Sequence, residues 1–244
     1  MMTPGRLDVG LVGTAREIPV IGLALAGAGH IPWFMTEPAP DARETSLAQL
    51  RGVTIRPADE VVQGSDLVVI APGEGETVES LVADISDGWK AGQIVFHTDP
   101  GHGIDVLEPA RAAGAITLAI HPVLHFTGTS LDVQRLKDAY FAVTAPATVM
   151  PIAQALVVEM GGEPFVVEES DRAAYAEVVD TVATFSRAII DQSTFRLTEI
   201  GVERPGEVLR ALAHSAVDES LRRSADGAVD PVEAWLDDTS EDDD

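Results

Sequence analysis

The sequence predicts an open, doubly wound α/β domain, with a parallel sheet covered by helices, followed by a smaller all-helical domain. Two observations favour this fold class. Short β-rich runs alternate with helical patterns over the first two-thirds of the 244 residues, and no strand signal follows residue 167. Such alternation is typical of a parallel sheet with helices on both faces. We therefore expect an α/β domain at 1–168, a helical domain at 169–236 and an acidic tail at 237–244.

Eight runs rich in β-branched and other apolar residues predict the strands. They cover residues 7–12, 31–36, 53–55, 67–71, 94–98, 116–120, 140–144 and 164–167. The clearest helical patterns between them cover 20–28, 77–85, 104–113 and 147–160. Glycines stand where three of these helices should end, as is typical of helix C-caps, at Gly29, Gly114 and Gly161.

A single long helix is predicted from 171 to 200, and a further helix from 207 to 222. One apolar face recurs at helical spacing through the long helix and carries Ala174, Val178, Val182, Phe185 and Ile189. A helix of about 30 residues is about 45 Å long. Because a small domain cannot cover that length by itself, we expect a homodimer formed along the C-terminal helices.

Composition argues against several functional classes. The chain has 16 Lys and Arg against 40 Asp and Glu, a net charge of −24, which disfavours binding to nucleic acid or anionic membranes. The absence of cysteine excludes disulfides, thiolate metal sites and a cysteine nucleophile. The longest apolar run, 18–29, is shorter than the roughly 20 residues that span a bilayer. We therefore expect a soluble, cytoplasmic protein.

The turn after the first predicted strand has the position of a dinucleotide-binding loop. In such a loop the pattern G-x-G-x-x-G lets the backbone approach a pyrophosphate and lets the helix pack closely on the strand. Here Gly13 keeps the first glycine, whereas Ala15 and Ile18 replace the other two. Together with Gly13, the candidate cofactor contacts in this turn are Thr14, Ala15 and Arg16.

The start of the first helix has two interpretations. Thr14 and Glu17 fit a capping box, in which the Glu17 carboxylate would occupy the positive helix end that a pyrophosphate otherwise uses. Pro19 is awkward in that register, so the helix alternatively begins later and leaves the loop open. A dinucleotide would bind weakly, or not at all, if the capping box forms.

Two further segments are candidate cofactor contacts. Glu37 closes the second strand about 24 residues after Gly13, where an acid holds the ribose of NAD, although a solvent-facing acid is the alternative. Arg43 could instead serve the 2′-phosphate of NADP, so both cofactors stay open. The fourth strand ends in a glycine-rich turn, which is either a cofactor contact or a plain flexible turn, at Ala71, Pro72 and Gly73.

Four of the six histidines follow two strands that are expected to lie side by side. They stand at positions 97 and 102 after the fifth strand, and at 121 and 125 after the sixth. Histidine suits proton transfer near neutral pH, so this edge of the sheet is a candidate active site. A metal site formed by His97, His102, His121 and Asp99 matches no established ligand spacing, and we predict none. Asp99 alternatively only orders its turn.

With these elements placed, the chain resembles a bacterial family that joins a Rossmann-like domain to a helical C-terminal domain of the 6-phosphogluconate dehydrogenase type. The resemblance is carried by residues 6–13, 66–73, 97–112, 121–126 and 161–175. It implies NAD(P)-dependent hydride transfer on a small carboxylated substrate. The nicotinamide would then lie beside Pro72 and Gly73.

In this scheme His121 is the expected general acid or base, and His97 and Asp99 are the other catalytic candidates. The expected substrate contacts are Thr98, His102, His125 and Tyr175. The sequence also departs from the family, because Ala176 follows Tyr175 where a histidine is usual, and an asparagine is missing near 180–184. The alternative function is a catalytically inactive, dimeric Rossmann-like protein that binds a metabolite or a partner.

Overall fold

The structure is a computed structural model that describes residues 5–85, 87–129 and 131–225. It divides into two compact units, Met1–Asp180 and Thr181–Asp244. The expected acidic tail at 237–244 lies outside the described residues, and the domain boundary expected after residue 168 stays a prediction. None of the helices described here combines the length and the apolar character needed to cross a membrane.

One eight-stranded sheet forms the centre of the first unit. Its strands are β1 (Asp8–Val12), β2 (Ile31–Met35), β3 (Thr54–Ile55), β4 (Leu67–Ile70), β5 (Ile94–His97), β6 (Ile116–Pro122), β7 (Tyr140–Thr144) and β8 (Glu163–Val166). They lie in the order β3-β2-β1-β4-β5-β6-β7-β8. All eight predicted strands are confirmed. The one departure from a parallel sheet is that β7 runs antiparallel to β6, which strand composition alone does not reveal.

Nine α-helices are present in the described residues. They are α1 (Ile18–Gly27), α2 (Arg43–Gln49), α3 (Ala58–Gln63), α4 (Val78–Asp84), α5 (Glu108–Ala112), α6 (Leu131–Leu136), α7 (Met150–Glu159), α8 (Arg172–Glu199) and α9 (Pro205–Ala225). The predicted helices are confirmed, including the long α8. The short helices α2, α3 and α6, each of six or seven residues, were not predicted.

Apolar residues bury both faces of the sheet. Along β4, Leu67 and Val69 pack into the core that contains α1 and α7. Val68 and Ile70 point to the other face and pack against α3 and α4. Strands buried on both sides read as continuous apolar runs, which is why β4 consists only of Leu, Val and Ile. This packing holds the carboxyl ends of the central strands in fixed positions.

The glycines expected at helix ends have the predicted role. Gly29 and Gly114 adopt φ angles of +104° and +90°, in the left-handed region that side chains with a Cβ rarely enter. After α1 the amide of His30 donates to the carbonyl of Leu25, so the last turn closes in the Schellman manner. Each glycine lets the chain leave a helix and enter the next strand.

The order of the strands fixes where a ligand can enter. The chain runs from β1 outward to β2 and β3, and then returns to place β4 on the other side of β1. The helices that follow β1 and β4, α1 and α4, therefore pack on opposite faces of the sheet. In open α/β sheets this switch point is where ligands bind.

Candidate functional site

Two adjacent clefts open beside the loop that follows β1. The large cleft has a volume of about 620 Å³ and is lined by residues that follow β1, β2, β4, β5 and β6. The small cleft has a volume of about 460 Å³ and lies towards α2 and residues 127–129. Both lie at the carboxyl edge of the sheet. This edge is therefore the candidate functional site.

Two glycines hold the loops after β1 and β4 in close contact. A Cβ at Gly13, whose φ is +110°, would overlap the carbonyl of Ala71. A Cβ at Gly73 would likewise overlap the side chain of Thr14. Glycine is required at both positions because the two backbones touch. The expected tight turn at Gly13 is therefore present.

The capping box expected at Thr14 and Glu17 does not form. Helix α1 begins at Ile18, and Glu17 stands at its N-cap without a side-chain capping bond. Pro19 explains the later start, since a proline without an N–H is tolerated in the first helical turn but not five residues into a helix. The alternative interpretation is confirmed in part: the helix begins later, but the loop before it is not left open.

A different carboxylate occupies this loop. One oxygen of Glu76, Oε2, accepts hydrogen bonds from the Thr14 amide at 2.9 Å and from the Thr14 hydroxyl at 2.8 Å. The same oxygen accepts a bond from the Gly73 amide at 2.8 Å. Donors from the loops after β1 and β4 thus converge on one anionic oxygen. Sequence analysis missed Glu76, because nothing distinguishes it from the other acids of the chain.

The altered glycine fingerprint still allows close packing of α1. Ile18 is 2% exposed and packs into the core. The close approach occurs one turn later, at Gly22, where an added Cβ would lie 3.0 Å from a side-chain carbon of Leu11. The amide of Ala15 donates to the carbonyl of Ala71 at 3.3 Å, while the residue lines both clefts.

Glu37, the candidate ribose contact after β2, forms an ion pair with Arg43. Glu37 accepts a hydrogen bond from the guanidinium of Arg43, and both side chains are exposed. Neither of these two residues lines a cleft. Arg16 lines both, and among the described residues it is the only Lys or Arg that lines either one. Arg16 is therefore the cation best placed to meet an anionic ligand.

His97, the last residue of β5, is hydrogen-bonded to the loop that follows. Its side chain is fully buried; Nε2 donates to the carbonyl of Gly103 at 2.7 Å and Nδ1 accepts from the amide of Asp99 at 3.2 Å. Burial lowers the pKa of His97 to about 4. Because both ring nitrogens are engaged and the residue lines neither cleft, His97 orders the loop.

Asp99 and His102 form a second fixed pair in the same loop. One Asp99 oxygen accepts from the amides of Gly101 and His102 and contacts Nδ1 of His102 at 2.8 Å. Burial tends to raise the pKa of Asp99, but the hydrogen bonds from His102 and Gly101 outweigh it and lower the pKa below its usual value. Nε2 of His102 lies 2.9 Å from Glu79. Asp99 lines the large cleft, whereas His102 does not.

His121 and Tyr175 meet at the wall of the large cleft. Nδ1 of His121 lies 2.7 Å from the Tyr175 hydroxyl, and the two rings pack edge to face. Burial and the positive charge of Arg172 lower the pKa of His121 to about 4. Burial raises the pKa of Tyr175 to about 12. Near neutral pH the imidazole is therefore uncharged and the phenol is protonated.

Arg172, at the start of α8, is the positive charge behind this pair. It is 1% exposed, and its Nε and Nη2 donate to the Thr144 hydroxyl and to the carbonyls of Ala119 and Ala142. Nη1 has no hydrogen-bond partner within the described part of the chain. The guanidinium lies 5.8 Å from the centre of the Tyr175 ring. Sequence analysis missed Arg172; its spacing from Tyr175, one turn of helix, was the only signal.

Thr98 also has a partner that sequence analysis did not assign. Its hydroxyl donates to a carboxylate oxygen of Glu17 at 3.1 Å, and both residues line the large cleft. Burial raises the pKa of Glu17, more than its hydrogen bonds lower it. The N-cap carboxylate of α1 is therefore joined to the loop after β5.

The large cleft thus brings together part of the predicted set. The predicted residues that line it are Thr14, Ala15, Arg16, Pro72, Gly73, Thr98, Asp99, His121 and His125. Gly13 lines the small cleft. Those that line neither are Glu37, Ala71, His97, His102 and Tyr175. Across the described residues, no group of three or more His, Asp or Glu side chains is arranged to hold a metal ion.

Two family models match the sequence. Residues 1–122, half of the sequence, match the model of a family described as a Rossmann-like domain. The chain belongs to this Rossmann-like family. Residues 139–232 match a second model, described as a domain of unknown function, DUF2520. The expected combination of a Rossmann-like domain with a helical C-terminal domain is confirmed. No curated protein matches the sequence.

Solved structures with similar folds include two reductases and a dehydrogenase. Pyrroline carboxylate reductase of Plasmodium falciparum with NADP bound is 14% identical, with a TM-score of 0.64 over 96% of this chain and 85% of that chain. An imine reductase of Myxococcus stipitatus in complex with NADP⁺ is 15% identical, with a TM-score of 0.61 over 90% and 77%. Mycobacterium tuberculosis 3-hydroxyisobutyrate dehydrogenase with L-serine is 18% identical, with a TM-score of 0.58 over 82% and 68%. At these identities the likeness establishes the fold.

Proposed function

We propose that this Rossmann-like protein is an NAD(P)-dependent oxidoreductase that acts on a small carboxylated substrate. The observation that carries the proposal is the convergence of the Thr14 and Gly73 amides on one anionic oxygen at the switch point of the sheet. Backbone amides gathered in this way suit a phosphate oxygen. The enzymes of similar fold that were solved with NADP or NADP⁺ support the choice of cofactor.

The residues at this edge fit a dinucleotide. Gly13, Thr14, Ala15 and Arg16 would contact its phosphates, and the backbone of 71–73 would contact the nicotinamide half. The Glu37–Arg43 pair at the end of β2 offers a carboxylate for the ribose hydroxyl of NAD and a guanidinium for the 2′-phosphate of NADP. Both cofactors therefore stay in the proposal. When bound, the dinucleotide supplies or accepts a hydride.

His121 is the proposed proton donor to the substrate. We assign to the uncharged imidazole the tautomer in which Nδ1 accepts a hydrogen bond from the Tyr175 hydroxyl and the proton is on Nε2. Nε2 has no hydrogen-bond partner among the described residues, and the residue lines the large cleft. Nε2–H is therefore the donor that a substrate carbonyl or imine would meet there.

Tyr175 replaces the proton that His121 gives up. As Nε2 protonates the substrate oxygen or nitrogen, Nδ1 takes the hydroxyl proton of Tyr175, and the imidazole ends in its other neutral form. Burial disfavours the phenolate, but the Arg172 guanidinium, 5.8 Å from the ring centre, acts in the opposite direction and lowers the Tyr175 pKa. Water then restores the proton. This exchange avoids an imidazolium, which the buried position and Arg172 both disfavour.

The remaining cleft residues would position the substrate. Thr98, Asp99 and His125 line the large cleft beside His121 and offer hydrogen-bonding groups to a small polar molecule. His97 and His102 would not contact the substrate themselves. They order the loop that holds Asp99 at the cleft. The carboxylated nature of the substrate rests on the family resemblance. The expected cytoplasmic location likewise stays a prediction.

A homodimer is part of the proposal, because α8 carries an uncovered apolar face. Val178, Val182, Phe185 and Ile189 follow one another along it and are each more than 60% exposed. Exposed apolar stripes of this size are typical of interfaces. We expect sedimentation equilibrium to show a dimer at micromolar concentration, a monomer for Phe185→Glu, and an unchanged dimer for Arg187→Glu. A wild-type monomer would contradict the proposal.

One observation favours the second candidate function, a non-catalytic binding protein. The donors suited to a phosphate already hold the Glu76 carboxylate. A titration of the purified protein with NADH and NADPH, followed by coenzyme fluorescence, separates the two functions. The oxidoreductase requires saturable binding of at least one coenzyme. Absence of binding of both at millimolar concentration would support the binding protein.

A further inference from the structure

We propose that Glu76 is an internal competitor of the cofactor and sets its affinity: its carboxylate occupies the position of a cofactor phosphate and must leave before the dinucleotide binds. This inference rests on the proposed function, because it concerns the same anion site. It assigns a role to a residue that no step of the proton transfer uses.

The Glu76 carboxylate is bound in the way that a protein binds an anionic ligand. Its Oε2 receives three hydrogen bonds, all between 2.8 and 2.9 Å, from two amides and one hydroxyl. Hydrogen bonds to a charged acceptor are about twice as strong as neutral ones. The two loops that supply them also touch at Gly13 and Gly73, so the distance between the two amides is fixed. The Glu76 carboxylate and a phosphate oxygen therefore cannot accept these hydrogen bonds at the same time.

The surroundings do little to offset the extra negative charge. The large cleft also contains Glu17, Asp41, Glu74 and Asp99, whereas Arg16 is its one Lys or Arg among the described residues. A dinucleotide that enters while Glu76 stays in place would therefore meet like charge at short range. Displacement of the carboxylate removes this repulsion and frees all three donors.

Glu76 can leave without disturbing the helix that follows it. Helix α4 has its own capping box, in which the Ser80 amide donates to the Thr77 hydroxyl and the Thr77 amide donates to the Ser80 hydroxyl. Gly75, with a φ of +81°, precedes Glu76 and gives the loop a backbone conformation open to few other residues. The carboxylate is thus held by two bonds from Thr14 in the opposite loop and by one from Gly73 in its own loop, rather than by α4.

The test compares dissociation constants for NADH and NADPH in wild type, Glu76→Gln and Glu74→Gln. Glu74 lines the same cleft and carries the same charge, but its carboxylate has no hydrogen bond to Thr14 or Gly73 in the described structure, so Glu74→Gln measures the loss of one cleft charge alone. Fluorescence titration should show binding at least tenfold tighter for Glu76→Gln and a smaller gain, of about two- to threefold, for Glu74→Gln, which removes one cleft charge but frees no hydrogen-bond donor. Glu76→Asp, which shortens the side chain by one methylene, should fall between wild type and Glu76→Gln.

The outcomes separate this inference from the proposed function. Binding by wild type that Glu76→Gln leaves equal or weakens overturns the inference and leaves the proposed function standing. Binding that appears only in Glu76→Gln supports the inference. Failure of every variant to bind either coenzyme overturns both. Far-UV circular dichroism of each variant confirms that it is folded, and Glu76→Asp supplies the comparison if Glu76→Gln does not fold.

Discussion

His97 and His121 lie at the carboxyl ends of the neighbouring strands β5 and β6, yet only one of them has a ring nitrogen left for a substrate. Burial lowers the pKa to about 4 in both His97 and His121. Both ring nitrogens of His97 form hydrogen bonds within the protein, whereas His121 forms one, with Tyr175. A histidine at a strand end is thus a candidate catalyst only when a ring nitrogen remains for the substrate.

The largest expected effect separates the two histidines directly. His121→Ala removes the proposed proton donor, so kcat should fall by about 10³, while the melting temperature stays within a few degrees. His97→Ala should cost about 3 kcal/mol of unfolding free energy, since it leaves a cavity and two unsatisfied groups, Gly103 O and Asp99 N–H. In a chain of this size that lowers Tm by about 6–12 °C. Steady-state kinetics and thermal melts check both; unfolding of His121→Ala would make His121 structural instead.

A smaller change in activity is expected from Tyr175→Phe. The variant keeps the ring packed on His121 but removes the proton that resupplies Nδ1. We expect kcat to fall by about 10- to 100-fold with KM nearly unchanged, because the hydroxyl is not proposed to bind the substrate. A rise in KM at constant kcat would instead make Tyr175 the substrate contact that the sequence suggested.

The smallest expected effect is on the pH dependence of stability. The unfolded chain protonates its histidines below about pH 6.5, but folded His97 resists protonation down to about pH 4. The contribution of His97 to the free energy of unfolding is therefore fully present above pH 6.5. It is lost as the pH falls towards 4, and the loss is about 3 kcal/mol at most.

Glu17 acts in the opposite sense, since its raised pKa favours the folded state as the pH falls. The measurement is therefore a difference: urea unfolding of wild type and His97→Gln at pH 7 and pH 5. Wild type should lose more stability over this interval than His97→Gln. Equal losses would show that burial of His97 does not control the pH dependence.

The fold was accessible from the sequence because its signals are local. The unbroken apolar run of β4 and the glycines after α1 and α5 each mark an element without reference to the rest of the chain. The antiparallel pairing of β6 with β7 was not accessible, since side-chain composition carries no strand direction. Pro19 did contain the information that decides where α1 begins.

The candidate site could be predicted from the sequence only in part, for a physical reason. Strand ends place His121 and Asp99 at the cleft, as expected, because parallel strands end at one edge. One of the two interpretations placed the carboxylate of the neighbouring Glu17 over the Thr14 amide, but the carboxylate there belongs to Glu76, 62 residues away in sequence. Arg172 and Thr144 are also brought together only by the sheet. Contacts of this kind depend on tertiary packing.

A crystal structure of the protein grown with NADPH, and with NADH, tests the central claim most directly. The account predicts a phosphate oxygen within hydrogen-bond distance of the Thr14 and Gly73 amides, with the Glu76 carboxylate moved away and the nicotinamide half in the large cleft near His121. An unaltered Glu76 contact, with no coenzyme in the crevice at saturating concentration, would contradict it.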